Sequence, residues 1–267
     1  MKIVSLNIYF GTVFEPAVQW VEEQAKTTDI FCFQEMMTNP KEDLLTTPFG
    51  ARANLLQELK RRLSDFEVIF ANMQDDFDIT PAYPRQMQMG NAIFYRKGID
   101  VTDSGSFFIY GQENGLVGRD WETIGHNAVY IRTDDLTVVC LHGNSQPANK
   151  RDTPKRLEQS QKVLDFVTPL EGEKVIMGDF NLFPDTESIQ MFEKHGFQNL
   201  IKDYNIQTTR GQFLRKLHPQ YADGPYGFQE YADYTFVTPG VEVESFEVPE
   251  TEISDHLPML LQIKKGE

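Results

Sequence analysis

The stretch Val175-Ile-Met-Gly-Asp-Phe-Asn-Leu-Phe-Pro-Asp185 decides how the rest of the chain is interpreted. Its first three residues are apolar and predict a short buried strand. Asp179 and Asn181 follow, and side chains two residues apart along a strand point to the same side. Pro184 prevents the strand from continuing. Two interpretations stay open from this stretch alone: a polar β-turn, or a carboxylate and an amide that serve one site.

The composition is that of a globular protein with a substantial core. The chain has 267 residues, of which 40% are hydrophobic and 24% are charged. Because no shift in composition and no Pro- or Ser-rich linker divides it, we expect a single domain over residues 1–267. The net charge of −15 opposes non-specific binding to polyanions. It leaves room for an enzyme that holds one phosphate through a metal ion and a few local cations.

The two cysteines and the N-terminus bear on the cellular compartment. Cys32 and Cys140 lie in apolar runs, which is typical of small buried side chains and gives no support for a disulfide framework. The N-terminus lacks the basic and apolar pattern of a signal peptide, and no apolar run reaches the length of a membrane span. We therefore expect a cytoplasmic protein with no stable membrane association, and the sequence implies no protein partner.

The first thirty-five residues predict a β-α-β unit. Strands are expected over 2–8 and 30–35, and the apolar residues of the helix over 15–26 recur at helical spacing. Such a unit is parallel and right-handed, so both strands end at the same edge, which brings Asn7 close to Glu35. Further helices are predicted over 54–63, 153–167 and 186–195, and further strands over 66–71, 91–95, 101–110, 127–132, 138–143, 173–177, 231–237, 241–248 and 258–263. The segments 38–50, 72–90 and 205–229 are predicted as loops. This mixture of strands and helices indicates a layered α/β fold.

Polar residues cluster at predicted strand ends, where ligands gather in open α/β sheets. The clusters are Asn7, Gln34-Glu35, His142 with Asn144, Asp179 with Asn181, Asp233-Tyr234 and Ser254-Asp-His256. Glu35, together with Asp255 and one or two amides, could hold Mg²⁺ or Mn²⁺, which prefer hard oxygen ligands and polarise a phosphoryl group when bound.

The remaining clusters suit proton transfer. His256 could stabilise negative charge or shuttle a proton if Asp233 fixed its ring. Asp179 could deprotonate or orient an attacking water, with Asn181 holding its partner atoms. For His142, contact with a phosphate and a structural hydrogen bond both stay open.

The ordered series of motifs resembles the endonuclease/exonuclease/phosphatase superfamily, whose fold is that of DNase I. The motifs are Leu6-Asn7, Gln34-Glu35, Leu141-His142, Gly178-Asp-Phe-Asn181, Asp233-Tyr-Thr-Phe236 and Ser254-Asp-His-Leu-Pro258. The resemblance covers essentially the whole chain. It implies an α/β/β/α sandwich of four layers, with two mixed sheets face to face and helices outside, and Mg²⁺-dependent hydrolysis of phosphoesters.

The resemblance also implies roles for single residues. Asn7, Glu35 and Asp255 would lie at the metal. Asp179 would orient or activate water with support from Asn181. Asp233 would orient His256, and His142 and His256 would flank the scissile phosphate.

Departures from the family pattern leave the substrate open. Many members carry Arg or Lys two residues before the Asp that matches Asp233, where this chain has Tyr231. Tyr110 loosely matches the phosphate-contacting Tyr of subgroups that act on abasic DNA. The Trp-and-Arg signature of the inositol-phosphatase subgroup is missing.

The scarce positive charges have two interpretations, a solvated surface or a cradle for an anionic substrate. They are Lys150, Arg151, Lys155, Arg156, Arg210, Arg215 and Lys216. Arg210 could clamp a phosphate with its planar guanidinium. We count Asn144, Arg210 and Tyr110 as candidate substrate-binding residues. The aromatic residues between 213 and 231 could stack on a base or line a lipid groove, or form a small core of their own.

These observations predict a metal-dependent phosphoesterase in which water attacks a phosphodiester or phosphomonoester in line. Nucleic acid or a small phosphodiester is the expected substrate. Two alternatives are a binding or scaffold protein that kept the fold and lost catalysis, and a phospholipid or sphingomyelin phosphodiesterase.

Overall fold

The computed structural model describes residues 1–39, 46–47, 50–75, 87–118, 120–217 and 226–264. Within them the strands form two mixed sheets of six strands each. The first contains β1 (Lys2–Asn7), β2 (Ile30–Thr38), β3 (Phe66–Gln74), β4 (Gln88–Arg96), β11 (Val243–Glu247) and β12 (Met259–Ile263), in the spatial order β11-β12-β1-β2-β4-β3. The second contains β5 (Asp103–Tyr110), β6 (His126–Arg132), β7 (Leu136–His142), β8 (Glu173–Asp179), β9 (Gln198–Asn199) and β10 (Asp233–Val237), in the spatial order β5-β6-β7-β8-β10-β9.

Two parallel strand pairs position the strand ends that matter for function. In the first sheet, α1 (Phe14–Ala25) connects β1 to β2, and Asn7 lies opposite Gln34. In the second sheet, α3 (Pro154–Val167) connects β7 to β8, and His142 lies opposite Asp179. The helix α3 begins as its sequence predicts, because the Thr153 side chain accepts a hydrogen bond from the backbone N–H of Arg156 at 3.2 Å.

The core lies between the two sheets and between each sheet and its helices, and it follows the alternation of the strands. In β2, Ile30 and Cys32 pack toward the second sheet, whereas Phe31 and Phe33 pack against α1. The helix α2 (Leu55–Arg62) covers the same face as α1, and α3 and α4 (Glu187–Lys194) pack on the second sheet. The result is the expected α/β/β/α sandwich.

The other sequence predictions have mixed outcomes. Cys32 and Cys140 are buried free thiols, as predicted. No helix in the described ranges combines the length and apolarity needed to cross a membrane. The single domain over 1–267 stays a prediction.

Some element boundaries were predicted wrongly. The strands β3 and β4 extend into the segment 72–90, which was predicted as a loop, because the two strands continue to pair with each other to Gln74 and Met89. Residues 76–86 of that segment, and 40–45 and 48–49 of the predicted loop 38–50, lie outside the described residues. The segment 205–229 also contains a helix, α6 (Phe213–Leu217), after the short α5 (Leu200–Asp203).

Candidate active site

Four strands bring polar side chains to one end of the sandwich. Asn7, His142 and Asp179 are the last residues of β1, β7 and β8. Asp233 is the first residue of β10, which runs antiparallel to β8 and pairs Asp233 with Asp179. The convergence that the sequence predicts at these strand ends is therefore present.

Glu35 reaches the site through an irregularity in β2. The pairing of β2 with β4 shifts register between Phe33 and Met36, and Glu35 adopts a left-handed backbone with φ of 57°. Such a bulge inserts an extra residue and turns a side chain away from the regular alternation. The Glu35 Oε1 atom lies 3.9 Å from Nε2 of His142. Its Oε2 atom is buried and has no hydrogen-bond partner among the described residues.

Asp179 lies at the centre of the site. Its Oδ2 accepts a hydrogen bond from Nδ2 of Asn7 at 3.1 Å. The same oxygen lies 3.6 Å from Nε2 of His142 and 3.6 Å from Nε2 of His256. Its Oδ1 accepts a hydrogen bond from the backbone N–H of Asn181 at 2.8 Å. One carboxylate is thus held by two amides between two imidazoles.

Gly178 makes this position of Asp179 possible. Its φ of 144° lies in the region that favours glycine, and a Cβ there would lie 2.0 Å from the carbonyl oxygen of Leu141 in β7. Asn181, with a left-handed φ of 53°, donates from Nδ2 to the carbonyl of Gly143 at 3.1 Å. Gly178 and Asn181, which flank Asp179, therefore both lie against the backbone at the end of β7.

His256 and Asp233 form a buried pair. Nδ1 of His256 lies 2.8 and 3.0 Å from the two carboxylate oxygens of Asp233. Burial raises the pKa of Asp233 to about 7, although the charges of Arg210 and Lys150 act in the opposite direction. Burial also lowers the pKa of His256 to about 4, and the charge of Arg210 adds to that effect. A neutral imidazole that donates from Nδ1 presents the lone pair of Nε2 toward Asp179.

The charges of the site favour a divalent cation. Burial raises the pKa of Glu35 well above its usual range, and the charge of Asp255 adds to the effect. When all are ionised, the four carboxylates outnumber the three basic side chains that act on them by one charge. The carboxylates are Glu35, Asp179, Asp233 and Asp255, and the basic side chains are Lys150, Arg156 and Arg210.

Two sets of atoms fit such an ion. Glu35, Asp255 and Asn7 offer hard oxygens of the kind that Mg²⁺ and Mn²⁺ prefer, and the buried unpartnered oxygen of Glu35 belongs to this set. Asp179, Asp233 and His256 offer atoms that lie within 4.8 Å of one another. In the second set, Nδ1 of His256 is engaged by Asp233, so the ring offers only its Nε2 to an ion.

Arg210 lies at the site but is bonded to protein. Its Nη2 donates to Oδ2 of Asp255 at 2.7 Å, and its Nε donates to the backbone carbonyl of Asp255 at 3.0 Å. The segment that carries Arg210 therefore folds against the active-site end. The guanidinium neutralises Asp255 in this state.

The structure does not bring the other two candidate substrate-binding residues to Asp179. The Tyr110 hydroxyl donates to the carbonyl of Glu122 at 2.6 Å, and its ring is separated from His142 by the ring of His126. Asn144 is buried, and its side-chain oxygen accepts a hydrogen bond from the backbone of Gln146 at 2.7 Å. In this arrangement Asn144 shapes the loop that follows β7.

Three buried basic side chains near the site were not predicted to be buried. His126 lies 5.3 Å from His142 between ring centroids, and burial lowers the pKa of His126 well below its usual range. Arg156 is fully buried and donates to the carbonyls of Asn144, Pro147 and Arg151.

Lys150 is the third, with 5% of its surface exposed and Nζ donating to the carbonyl of Tyr231 at 3.0 Å. For Arg156 the sequence carried a signal, because it shares a helical face with Ser160 and Val163, which are buried too. For Lys150 the sequence carried no signal of burial.

The remaining cations are half-exposed or exposed. Arg151 binds Asp185 at 2.6 Å and Lys155 lies 3.9 Å from Glu122. Arg215 stacks on Phe228 and Lys216 pairs with Glu252. A solvated surface describes these four side chains.

Comparisons with known proteins agree with this geometry. The model of the endonuclease/exonuclease/phosphatase family matches residues 4–256. No curated protein sequence matches the chain significantly. Among solved structures, an endonuclease/exonuclease/phosphatase family protein from Bacteroides thetaiotaomicron is 17% identical, with a TM-score of 0.69 over 98% of this chain and 94% of its own.

Two further solved structures are similar in fold. A mannosyl-6-phosphatase from Bacteroides thetaiotaomicron is 18% identical, with a TM-score of 0.66 over 99% of this chain and 100% of its own. The catalytic domain of human Nocturnin, solved with a bound sulfate, is 14% identical, with a TM-score of 0.62 over 99% of this chain and 93% of its own. At these identities the likeness concerns the fold alone.

Proposed function

The chain belongs to the endonuclease/exonuclease/phosphatase family, whose members are hydrolases acting on phosphoesters, and we propose that it is a divalent-metal-dependent phosphoesterase. The observation that carries the proposal is the position of Asp179, with one carboxylate oxygen 3.6 Å from Nε2 of both His142 and His256. At this position the imidazoles would bind a phosphate oxygen, and the carboxylate would bind a water molecule.

Asn7, Glu35 and Asp255 would hold the ion, which we take to be Mg²⁺ or Mn²⁺. When bound, the ion supplies Lewis-acid polarisation of the phosphoryl group and neutralises developing charge. The protein side contributes a buried carboxylate, Glu35, whose unpartnered oxygen is otherwise costly to keep in the fold. The Asn7 amide oxygen accepts a hydrogen bond from the backbone N–H of Tyr9 at 3.0 Å, and its second lone pair is left for the ion while Nδ2 donates to Asp179.

Asp179 would orient the attacking water and accept its proton. The backbone N–H of Asn181 and the amide of Asn7 hold the carboxylate in one orientation, which limits the motion of the water that it binds. We propose that the water held in this way attacks in line with the leaving oxygen.

His256 and His142 would face the phosphate from two sides. Asp233 holds His256 through Nδ1, so Nε2 is the atom directed at the reacting group. An imidazole placed in this way donates a hydrogen bond to a phosphoryl oxygen once it carries a proton on Nε2. His142 contacts the same oxygen of Asp179 from the side of Glu35.

The proposed substrate is a phosphodiester or phosphomonoester on a small molecule or on short nucleic acid. The net charge of −15 disfavours a long duplex, whose binding depends on neutralising many phosphates. Arg210 is proposed to bind a substrate phosphate after exchanging its bond to Asp255, while Tyr110 and Asn144 remain candidates for more distant contacts.

The test is hydrolysis of bis-p-nitrophenyl phosphate by the purified protein with Mg²⁺ or Mn²⁺. Activity should be lost with EDTA and restored by the metal. Asp179→Asn should lower kcat about 1000-fold, because it removes the proton acceptor while keeping the shape. Asp185→Asn is the matched control, since Asp185 is exposed and pairs with Arg151. A folded protein that turns over no phosphoester with either metal contradicts the proposal and favours a scaffold that has lost catalysis.

A second experiment separates the substrate classes. Plasmid, single-stranded oligonucleotide, abasic duplex, sphingomyelin, inositol phosphates and sugar phosphates are compared at one metal concentration. We expect the highest kcat/KM on a small ester or an oligonucleotide. Preference for sphingomyelin would replace this assignment with the phospholipid alternative.

A further inference from the structure

Lys150 has an unusual position for a lysine in a loop. Its side chain is 95% buried, and its backbone has a left-handed φ of 53°. Each feature is unfavourable for a residue with a long cationic side chain. Non-glycine residues with strained backbones cluster at functional sites, and Glu35 and Asn181 share this property here.

The ammonium of Lys150 holds the peptide segment that carries Asp233. Its Nζ donates to the carbonyl of Tyr231 at 3.0 Å. The Thr209 hydroxyl oxygen accepts hydrogen bonds from the backbone N–H groups of Ala232 at 3.0 Å and Asp233 at 3.1 Å. The carbonyl of Ala232 accepts from the backbone of Phe180 at 2.8 Å. The segment 231–233 is thus fixed from three sides before its carboxylate reaches His256.

Lys150 also acts on Asp233 by its charge. The electrostatic influence of Lys150 on Asp233 favours the ionised carboxylate, against the effect of burial. The loop of Lys150 is itself anchored, because its carbonyl accepts a hydrogen bond from the backbone of Phe183 at 3.1 Å. The lysine therefore joins the loop after β7 to the residues that follow β8 and precede β10.

We propose that Lys150 is a positioning residue that orients the Asp233–His256 pair through its bond to the Tyr231 carbonyl. The sequence has Tyr231 where many family members carry a basic side chain, and the buried ammonium from the loop after β7 lies against the backbone of that residue. Lys150 does not touch the reacting atoms in this role. Its removal is expected to lower kcat and leave KM nearly unchanged.

The kinetic test compares Lys150→Met, Lys150→Gln and Lys150→Arg with the wild type on bis-p-nitrophenyl phosphate at saturating Mg²⁺. Lys150→Met removes the donor and should lower kcat about tenfold or more, with KM within about twofold. Lys150→Arg keeps a donor and the charge and should recover most of the loss. Lys162→Met, on a lysine of α3 that pairs with Glu158, is the control and should behave as the wild type.

A spectroscopic arm is independent of turnover. The Nδ1–H proton of His256, bonded to Asp233, should give a low-field NMR resonance in the metal-free wild type and in Lys150→Arg. In Lys150→Met this resonance should broaden or vanish through faster exchange. If Lys150→Met does not fold, Lys150→Gln replaces it in both arms with the same expected results, because its amide is uncharged and one bond too short for the position of the ammonium.

The outcomes separate this inference from the proposed function, on which only its kinetic arm rests. An inactive wild type overturns the proposed function and leaves the resonance to decide the role of Lys150. An active wild type whose kcat and His256 resonance are both unchanged in Lys150→Met overturns the inference. A rise in KM without a fall in kcat overturns it too, because it would assign Lys150 to substrate binding.

Discussion

Carboxylates gather at both ends of the sandwich, and the two ends treat them differently. A groove of about 440 Å³ lies at the starts of β1, β7 and β8 and is lined by Asp100, Asp134, Asp135, Glu173 and Glu242. At the opposite end of the same strands lie Glu35, Asp179, Asp233 and Asp255. The carboxylates of the groove are exposed or half-exposed, whereas those at the other end are buried or nearly so.

The difference shows that the surroundings of the acidic residues, and not their number, identify the site. Water solvates an exposed carboxylate, so its interactions with neighbours are weak. A buried carboxylate depends on amides, imidazoles or a cation, and replacing one partner affects the others. We therefore expect the effects of substitution to fall steeply from the active-site end to the groove.

An effect on kcat as large as that of Asp179→Asn is expected for His256. Replacing it by Gln removes the imidazole that Asp233 orients, and kcat should fall about 1000-fold. His195→Gln is the matched control. His195 is exposed just after α4, and its Nδ1 contacts the backbone carbonyl of Met191. Steady-state kinetics on a phosphodiester make the comparison. Similar activities in the two variants would remove His256 from the mechanism.

A substitution of Glu35 tests the active-site end of the sandwich without any substrate. In the metal-free protein, Glu35→Gln should raise the free energy of unfolding by about 1 kcal/mol, because it removes a carboxyl group whose ionisation is opposed by burial and by the charge of Asp255. Mg²⁺ at about 100 times its Kd should stabilise the wild type by about 2.7 kcal/mol and the variant much less. Thermal unfolding with and without Mg²⁺ measures both. Equal metal-induced shifts would place the ion elsewhere, and the Asp179, Asp233 and His256 set would be the next to test.

The buried Lys150 should make the free energy of unfolding depend on pH. Burial lowers the pKa of Lys150 to about 7, with the charge of Arg210 acting in the same direction. Between about pH 7 and the usual lysine range, the unfolded chain therefore binds a proton that the folded protein has lost, so stability rises with pH. From pH 7 to 9, the wild type should gain about 2 kcal/mol relative to Lys150→Met. Urea unfolding of the metal-free proteins tests the sign, and a gain for the variant would contradict a buried amine.

The smallest effect is expected in the groove. Asp134→Asn replaces an exposed carboxylate, so the free energy of unfolding should change by less than about 0.5 kcal/mol. The Mg²⁺-induced shift and kcat should match the wild type. A lost metal response in this variant would show that the groove, and not the buried end, binds the ion.

The sequence was most informative where strand ends carry chemistry. Asn7 and Glu35 could be placed together because the strands of a parallel β-α-β unit end at one edge, and the order of motifs identified the family. A layered α/β fold followed from the mixture of strands and helices, and its four layers followed from the resemblance to the family. These features depend on short-range pattern and on the direction of strands, both of which a sequence displays.

What escaped prediction depends on contacts between segments that are far apart in the chain. The bulge that turns Glu35 toward His142 arises from the register of β2 against β4. The burial of Lys150 depends on a carbonyl 81 residues away. In both cases the local composition is ordinary, and only the packing of distant elements makes the residue unusual.

The contact between Ser254 and Asn7 has a consequence for synthesis of the protein. The Ser254 hydroxyl donates to the Asn7 carbonyl at 2.6 Å across 247 residues, and β12 flanks β1 in the first sheet. Chains emerge from the ribosome N-terminus first, at about 5–20 residues per second. The strand β1 must therefore wait many seconds for its neighbour β12. Throughout that interval the nascent chain lacks His256 as well as Ser254, so the proposed active site stays incomplete until this stretch of the chain has been made.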